Sequence, residues 1–324
     1  MFGFTACPFL AQLVVRENAV SNQEELPLAS ESVLNSTYMD DTLDSVEDEA
    51  EGIHAYKELT ELWGRAGMTA RKWLSNSEEV LKSIPKSERA ASVDLDNSKL
   101  PCSKTLGITW MAKDDVFTFN STSKGYTQSF SKRILAIMAA VFDPMGFLAP
   151  FIIIAKILMQ EIWLQGLNWD DTLPPDINNK ILAWCNDLAN IAQIRVPRCI
   201  RLKEKPVHQS LHLFSDASKD AYSTVAYLRT EYLNQPPCIR IVAAKAKVAP
   251  LKATSIPRLE LMGATMSVKL ASVLVPLLNV DQNNTFYWTD SMNVLWWISR
   301  RSKTLKTFVA NRVGLVHKHS HPSQ

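Results

Sequence analysis

The sequence predicts a multidomain chain of the α/β and α+β classes, in which mostly helical segments are followed by a mixed sheet with helices. Two observations carry this prediction. Apolar residues recur at helical spacing over much of the first two thirds of the chain, whereas after about residue 205 they alternate with other residues at the period of a β-strand. The length of 324 residues allows two or three domains.

Pattern and punctuation divide the chain into three blocks, at 1–85, 86–205 and 206–324. In the first block, apolar residues spaced by three predict a helix over 49–66, which Gly67 ends. The second block begins with a strand-like run at 105–111 and continues into helices predicted at 131–142, 151–164 and 177–192. Asp143-Pro-Met-Gly separates the first two of these helices. The third helix is expected to bury Ile181, Trp184, Cys185, Leu188 and Ala192.

The third block predicts an α/β order of three strands, helix, strand and helix. The strand-like runs lie at 211–216, 223–228, 239–244 and 285–289. One helix begins around Pro257 and another from Ser291. The first of these helices is expected to bury a stripe of Leu259, Met262, Met266, Leu270 and Val273. The small residues Ala264, Ser267 and Ala271, on the face of Glu260, are expected to let this helix approach the sheet closely.

Composition indicates a globular protein of a reducing compartment. Hydrophobic residues make up 46% of the chain, with 9 Trp and 12 Phe, which suffices for a core. The five cysteines form no CxxC pair, so neither a disulfide framework nor a zinc site is expected. Asp143, Pro144, Pro150 and Lys156 interrupt the most apolar stretch, so we expect no membrane span, and no signal peptide is evident. An intracellular location, cytoplasmic or nuclear, is expected.

Charge is distributed unevenly, although the net charge is only +2. Acidic residues occur between positions 17 and 56 without Lys or Arg, which suits cations. After Ser291 the chain has basic residues and no Asp or Glu, which suits phosphates. The basic residues that we expect to bind nucleic acid are Arg300, Arg301, Lys303 and Lys306. Two solvated surfaces of opposite sign are the alternative.

Three carboxylates of the third block are candidates for one metal site. Asp216 and Asp290 each follow an alternating run, and if the two strands are parallel neighbours, both side chains reach the carboxyl edge of the sheet. Glu260 lies in the first turn of the helix after Pro257. Such a group needs a divalent cation, Mg²⁺ or Mn²⁺, and two ions there can support phosphodiester cleavage. Alternatively, Asp290 is an N-cap, Asp216 begins a turn, and Glu260 decorates a helix terminus.

The strings around these carboxylates resemble the Asp, Glu and Asp positions of the ribonuclease H-like domain of retroelements. They are LHLFSDAS at 211–218, IPRLELMGA at 256–264 and YWTDSMNVLWWI at 287–298. The resemblance implies a ribonuclease H-like fold for 206–324, with Asp216, Glu260 and Asp290 catalytic and metal-binding. That family adds a last acidic residue in a later helix. This sequence has none after Asp290, so the resemblance implies a C-terminally truncated domain.

The middle block is similar to the thumb and connection region of Bel/Pao-type LTR retrotransposons. The matching residues are SKRIL at 131–135, DPMGFLAP at 143–150, Lys156, Gln160, Trp163, Trp169 and Asp170. Together with the ribonuclease H-like strings, this resemblance identifies the chain as a fragment of a Bel/Pao-type retrotransposon polyprotein.

The first block resembles the end of a reverse-transcriptase palm. TYMDD at 37–41 is similar to the YxDD turn, whose aspartates sit on a β-hairpin and bind metal ions, so the resemblance implies metal ligands at Asp40 and Asp41. FGFTACPFLA at 2–11, RKWLSN at 71–76 and LGITW at 106–110, the last resembling the primer-grip hairpin, support this likeness. No Asp precedes Asp40, whereas the palm family has a further metal-binding Asp upstream. We therefore expect a partial palm and an incomplete RNA-directed DNA polymerase site.

These expectations favour two-metal cleavage of RNA in RNA–DNA hybrids, with an RNA–DNA hybrid or another nucleic acid as partner. Whether the fragment is an active enzyme is left open, as is its oligomeric state. The alternative is a catalytically inactive transposon-derived remnant that binds nucleic acid. A third hypothesis, an aspartic peptidase, requires paired Asp-Thr-Gly or Asp-Ser-Gly turns, and the chain contains neither.

Overall fold

The computed structural model divides the chain into two compact units. One comprises residues 1–103 and 110–115, and the other comprises residues 104–109 and 116–324. The residues that the structure describes are 7–39, 41–95, 100, 102–105, 108–119, 131–168, 171–202 and 204–324. The division into 1–85, 86–205 and 206–324 stays a prediction.

The first unit is mainly helical. Its elements are α1 (Cys7–Ser21), α2 (Pro27–Ser36), β1 (Thr37–Tyr38), β2 (Asp41–Thr42), α3 (Glu49–Arg65) and α4 (Glu78–Ser83). The predicted helix over 49–66 is confirmed as α3. Asp48 caps this helix by accepting a hydrogen bond from Glu51 N at 2.9 Å. Gly67 follows its end with a φ of 67°. Leu59 and Leu62 of α3 pack with Ala19, Leu26, Ala29 and Val33.

Short strands and three helices make up the middle of the chain. They are β3 (Cys102–Thr105), β4 (Ile108–Met111), β5 (Val116–Thr118), α5 (Ser131–Ala140), α6 (Ala149–Leu164), α7 (Pro175–Asp187) and β6 (Val196–Pro197), the last pairing antiparallel with β5. Trp184 of α7 stacks on Phe151 of α6 at 4.9 Å, and its indole N–H donates to the Phe151 carbonyl. The predicted helices at 131–142 and 151–164 are confirmed as α5 and α6, and the third is confirmed as α7 only as far as Asp187.

The prediction that the third helix of the middle block buries Ala192 is wrong. Ala192 is exposed, and Ile191 is buried in its stead. The reason is that the α-helix ends at Asp187 and the chain continues as a 3₁₀ turn from Leu188 to Gln193. A 3₁₀ turn has three residues per turn, so the helical spacing no longer predicts which side chain points inward.

The last part of the second unit is a four-stranded sheet with helices. Its elements are β7 (His208–Ala217), β8 (Ala221–Glu231), β9 (Cys238–Val248), α8 (Ile256–Leu278), β10 (Thr285–Trp288), α9 (Met292–Ile298) and α10 (Thr307–His319). The strand order is β10-β7-β8-β9, with β7, β8 and β9 antiparallel and β10 parallel to β7. The predicted α/β order is confirmed, while α10 was not predicted. Leu211, Leu213, Ala226 and Leu228 are fully buried in the sheet core with Leu270 and Ala271 of α8.

Small residues bring α8 close to the sheet at Ser267 and Ala271, as the sequence predicts, whereas Ala264 packs with residues of α9 and α10. Ser267 Oγ lies 2.7 Å from Thr224 Oγ1 of β8, and both side chains are buried. A Cβ at Gly263 would lie 3.3 Å from the Ser223 carbonyl oxygen and 3.4 Å from Ser215 Cβ. Val273 was expected in the core stripe, but it is 52% exposed, and Leu274 is buried instead. The step of three residues from Leu270 to Val273 turns back by about 60° around the helix axis, whereas the step of four residues to Leu274 turns forward by about 40°, onto the buried face.

α8 is also long and apolar enough to cross a membrane by length and composition alone, and no second helix of the described residues meets that test. Its buried residues, however, pack against the sheet strands and against α9 and α10, as those of a core helix do.

The turn between α5 and α6 docks on β9. The Asp143 carboxylate accepts hydrogen bonds from Phe147 N at 2.9 Å and Leu148 N at 2.7 Å, which orders the entry to α6. Burial raises the pKa of Asp143, and these backbone bonds oppose the rise. Ala244 N donates to the Met145 carbonyl at 2.8 Å, and Gly146 has a φ of 78°. The predicted helix break is therefore also a contact to the sheet.

Tyr287 of β10 offers a test of the sheet core. Its hydroxyl is buried without a hydrogen-bond partner among the described residues, and burial raises its pKa to about 12. Replacing Tyr287 by Phe removes this unpaired group, so we expect the free energy of unfolding to rise by about 1 kcal/mol. A raised pKa favours the neutral phenol in the folded state. The contribution of the neutral Tyr287 phenol to the free energy of unfolding is therefore fully present below pH 10 and is lost as pH rises through about 12.

Urea unfolding of wild type and Tyr287→Phe at pH 8, 10 and 11 measures both effects. The advantage of the variant should be smallest at pH 8, slightly larger at pH 10, where the unfolded phenol is half ionised, and larger still at pH 11. A variant less stable than wild type at all three pH values would contradict this description of the core.

Candidate functional site

Asp216 and Asp290 lie at the carboxyl ends of two neighbouring parallel strands. Phe214 of β7 pairs with Trp288 of β10. Asp216 follows Phe214 by two residues in the chain, and Asp290 follows Trp288 by two residues. Both aspartates are exposed and line one cleft of about 460 Å³, together with Phe214, Ser215, Ser223, Val225, Trp288 and Thr289. The condition for a shared site, that the two strands are parallel neighbours, is therefore met.

Neither aspartate has the structural role that the alternative interpretation gave it. The N-cap of α9 is Ser291, whose hydroxyl accepts a hydrogen bond from Val294 N at 3.4 Å, and not Asp290. Asp216 lies inside β7, where it pairs with Ser223, and among the described residues its carboxylate accepts a hydrogen bond only from Ala217 N, at 2.7 Å. No described basic side chain forms an ion pair with either carboxylate. Their oxygens are thus available to a ligand.

Glu260 approaches the pair from α8 but does not line the same cleft. The Ser291 hydroxyl donates a hydrogen bond to Glu260 Oε2, and Ser291 directly follows Asp290 in the chain. Within the part of the chain that the structure describes, no group of three or more His, Cys, Asp or Glu side chains is placed to hold a metal ion. The structure therefore brings Asp216 and Asp290 together and ties Glu260 to the residue beside them.

The donor chemistry at this edge fits a hard divalent cation. All three side chains offer carboxylate oxygens, the ligands that Mg²⁺ prefers, and neither His nor Cys is among the cleft-lining residues. The closeness of α8 to β7 keeps Glu260 at this end of the sheet, because Gly263 lies one turn further along the helix. A Cβ there would be 3.5 Å from the Asp216 carbonyl oxygen.

An aromatic surface covers the face of the sheet that carries Asp216. Trp288 stacks on Phe214 at 5.8 Å, and the two rings are 50% and 43% exposed. The Trp288 indole N–H donates to His212 Nδ1 at 3.2 Å, so Nε2 of the neutral ring carries the proton and faces Ser210 Oγ at 3.0 Å. Burial, together with the nearby Arg229 charge, lowers the pKa of His212.

The sequence analysis did not identify His212 as the hydrogen-bond acceptor of Trp288. The signal was present in the alternation, which places His212, Phe214 and Asp216 on one face of β7. The partner Trp288 depends on the register between β7 and β10, however, and a single sequence does not contain that register.

The predicted basic residues form an exposed cluster near the C-terminus. Arg300, Arg301, Lys303 and Lys306 are all exposed, and we refer to these four residues as the basic cluster. Trp296 is 52% exposed, and the Arg300 guanidinium lies 4.7 Å from the centre of its ring.

The first unit contains the expected hairpin around the YxDD-like turn. β1 and β2 pair antiparallel, with Tyr38 opposite Asp41, and Met39 has a φ of 57°. Asp41 is exposed, whereas Asp40 lies outside the described residues. The expectations placed on 2–6, Leu106, Gly107, Trp169 and Asp170 also lie outside them.

Comparison with known proteins places this chain among retroelement sequences. Residues 131–291 match the model of a family described as the Pao retrotransposon-like RNaseH-like domain. No curated protein sequence matches the chain.

Two solved structures of foamy viral protease-reverse transcriptase bound to double-stranded DNA are similar. The form designated dRH has 11% identity and a TM-score of 0.45, over 93% of this chain and 46% of that chain. The other has 13% identity and a TM-score of 0.44, over 98% of this chain and 57% of that chain. The chain thus spans about half the length of these two proteins.

Proposed function

Because this chain carries a Pao retrotransposon-like RNaseH-like domain over residues 131–291 and so belongs to that retrotransposon family, we propose that it cleaves RNA in RNA–DNA hybrids with the help of divalent metal ions. One observation carries the proposal. Adjacent parallel strands bring Asp216 and Asp290 into one cleft, without an ion pair or a capping role to occupy their carboxylates.

The ligands for Mg²⁺ or Mn²⁺ in this proposal are Asp216, Glu260 and Asp290. When bound, the ions supply activation of water and stabilisation of the leaving oxygen in phosphodiester cleavage. The chain itself supplies orientation. β7 and β10 hold two carboxylates at one edge, and the close approach of α8 holds the third beside Ser291. A fixed arrangement matters because small displacements of reacting groups reduce rates strongly.

The basic cluster is the proposed track for the phosphate backbone. Lys and Arg side chains that neutralise phosphates release counterions, so affinity falls with salt and depends little on base sequence. Hybrid recognition through groove shape and 2′-hydroxyl groups is compatible with such contacts. The four side chains have no carboxylate partner in their own segment, because no Asp or Glu follows Asp290 in the sequence.

Salt dependence tests this assignment. With about four phosphate contacts, the logarithm of the binding constant for a duplex should fall against the logarithm of salt concentration with a slope of about −3 to −4. Replacing all four residues of the basic cluster by Gln should weaken binding and flatten the slope to near zero. Fluorescence anisotropy with a labelled duplex at several salt concentrations measures both.

A matched control replaces four exposed basic residues of the first unit by Gln, namely Lys57, Arg71, Lys82 and Lys86. It removes the same charge from another surface. A slope that changes equally in both variants would show general electrostatics and would contradict the track.

A non-catalytic nucleic-acid-binding protein is the second candidate. It is favoured by the exposed Trp296 beneath Arg300, an arrangement suited to stacking on a base and pairing with a phosphate. In both proposals, Asp40 and Asp41 are metal ligands of an RNA-directed DNA polymerase site, which their resemblance to the YxDD turn implies.

A cleavage assay separates the two candidates. A labelled RNA–DNA hybrid is incubated with the chain and Mg²⁺ or Mn²⁺, with EDTA as control. Metal-dependent shortening of the RNA strand supports the nuclease. Hybrid binding without cleavage in either metal supports the second candidate.

A further inference from the structure

We propose that Ser291 is a positioning residue that holds Glu260 for metal binding, an inference that rests on the proposed metal site. Its hydroxyl makes two contacts at once. It donates to Glu260 Oε2, and it accepts from Val294 N at 3.4 Å as the N-cap of α9. The Ser291 residue is 7% exposed.

The direction of the two bonds follows from the chemistry of a hydroxyl. A serine has one O–H proton to donate, and its lone pairs accept. Because Val294 N–H occupies a lone pair, the proton is free for the carboxylate. A hydrogen bond to an ionised acceptor is stronger than one between neutral groups. No other described group donates to the Glu260 carboxylate, so this bond alone orients it.

The surroundings make Ser291 a rigid anchor. Val294 of α9 and Leu261 of α8 are both fully buried in one cluster with Val309 and Val313 of α10. α8 and α9 are therefore packed together on either side of the Ser291–Glu260 bond. A flexible glutamate side chain is thus fixed to a buried junction.

Ser291 also links carboxylates of different elements. It follows Asp290 directly, so the segment that leaves β10 carries one proposed ligand and holds another. Loss of the hydroxyl should leave Asp216 and Asp290 in place and release only Glu260. Removing such a supporting contact typically costs about 10- to 100-fold in metal affinity or activity.

Metal affinity measured by isothermal titration with Mn²⁺ tests the proposal without reference to catalysis. Ser291→Ala should weaken Mn²⁺ binding about tenfold or more. Ser291→Thr, which keeps the hydroxyl, should restore affinity to near the wild-type value.

The loss of a helix cap needs its own control. Ser77 caps α4 by accepting from Val80 N at the same 3.4 Å distance, and no carboxylate of the described residues bonds to its hydroxyl. Ser77→Ala should therefore lower stability through its lost cap and leave Mn²⁺ affinity unchanged. Thermal melting without metal confirms that each variant is folded.

A double replacement shows whether Ser291 acts through Glu260. In a Glu260→Gln background, adding Ser291→Ala should cause no further loss of Mn²⁺ affinity, because the positioned group is already gone. Equal losses from Ser291→Ala with and without Glu260 would overturn the positioning role. So would wild-type affinity in the single Ser291→Ala variant.

The failure of the two proposals is distinguishable. A wild-type chain that binds no Mn²⁺ overturns both the metal site and the role of Ser291. A wild-type chain that binds Mn²⁺, with Ser291→Ala equal to it, overturns only the role of Ser291.

Discussion

Replacement of Asp290 by Asn is expected to reduce metal-dependent cleavage of an RNA–DNA hybrid by at least about a hundredfold. Asn is nearly isosteric with Asp but lacks the charge that a divalent cation requires. The fold should survive, because Asp290 is exposed and Ser291 caps α9. Asp216→Asn should have an effect of the same size, since both side chains line one cleft. Initial rates at saturating Mg²⁺ measure the loss.

Asp281 supplies the matched control for these two variants. It is exposed, belongs to the same unit, and accepts a hydrogen bond from Asn283 N at 2.8 Å, which Asn can also accept. Asp281→Asn should cleave at the wild-type rate. If Asp216→Asn and Asp290→Asn cleave as fast as Asp281→Asn, the two aspartates are not part of the reaction.

Gly146→Ala is expected to destabilise the second unit by roughly 3 kcal/mol or more. An added Cβ would lie 1.9 Å from the Ala244 carbonyl oxygen, which belongs to the backbone of β9 and cannot rotate away. The turn would have to leave β9 and lose the hydrogen bond from Ala244 N to Met145 O. The φ of 78° adds about 1–2 kcal/mol for any residue with a side chain. Urea unfolding followed by circular dichroism measures the change.

Gly166 separates the backbone strain from the clash. Its φ is 68°, and an added Cβ would meet nothing within 4 Å. Gly166→Ala should therefore cost only about 1–2 kcal/mol. Equal destabilisation by the two variants would contradict the tight contact between the Asp143–Gly146 turn and β9.

Features with a local cause could be predicted from the sequence. α3 has a capping Asp48, a spacing of apolar residues and a terminal Gly67, all within one segment. The alternation along β7 predicted its buried face, and the small residues of α8 predicted its close approach to the sheet. Two predictions on helix faces were nevertheless wrong. Ala192 lies beyond a change to 3₁₀ geometry, and Val273 lies on the side of α8 that is turned away from the buried Leu274.

Features that depend on distant partners could not be predicted in this way. The contact of Gly146 with Ala244 joins segments about a hundred residues apart. The hydrogen bond between Trp288 and His212 depends on the register of β10 against β7. Within the site, the sequence predicted that Asp216 and Asp290 follow strands, but their convergence also required β7 and β10 to be parallel neighbours. The contact of Glu260 with Ser291 required the packing of α9 against α8, which local patterns do not contain.

Thermal melting across a Mn²⁺ titration is the most direct test of a shared metal site at Asp216, Glu260 and Asp290. A ligand that binds only the folded state at a hundred times its dissociation constant stabilises by about 2.7 kcal/mol, a rise of roughly 5–10 °C for a unit of this size. Wild type and Asp281→Asn should show this rise, and Asp216→Asn, Glu260→Gln and Asp290→Asn should largely lose it. Without metal, Asp216→Asn should melt higher than wild type, because it relieves repulsion between the carboxylates. The same rise with Mn²⁺ in all five proteins would contradict the shared site.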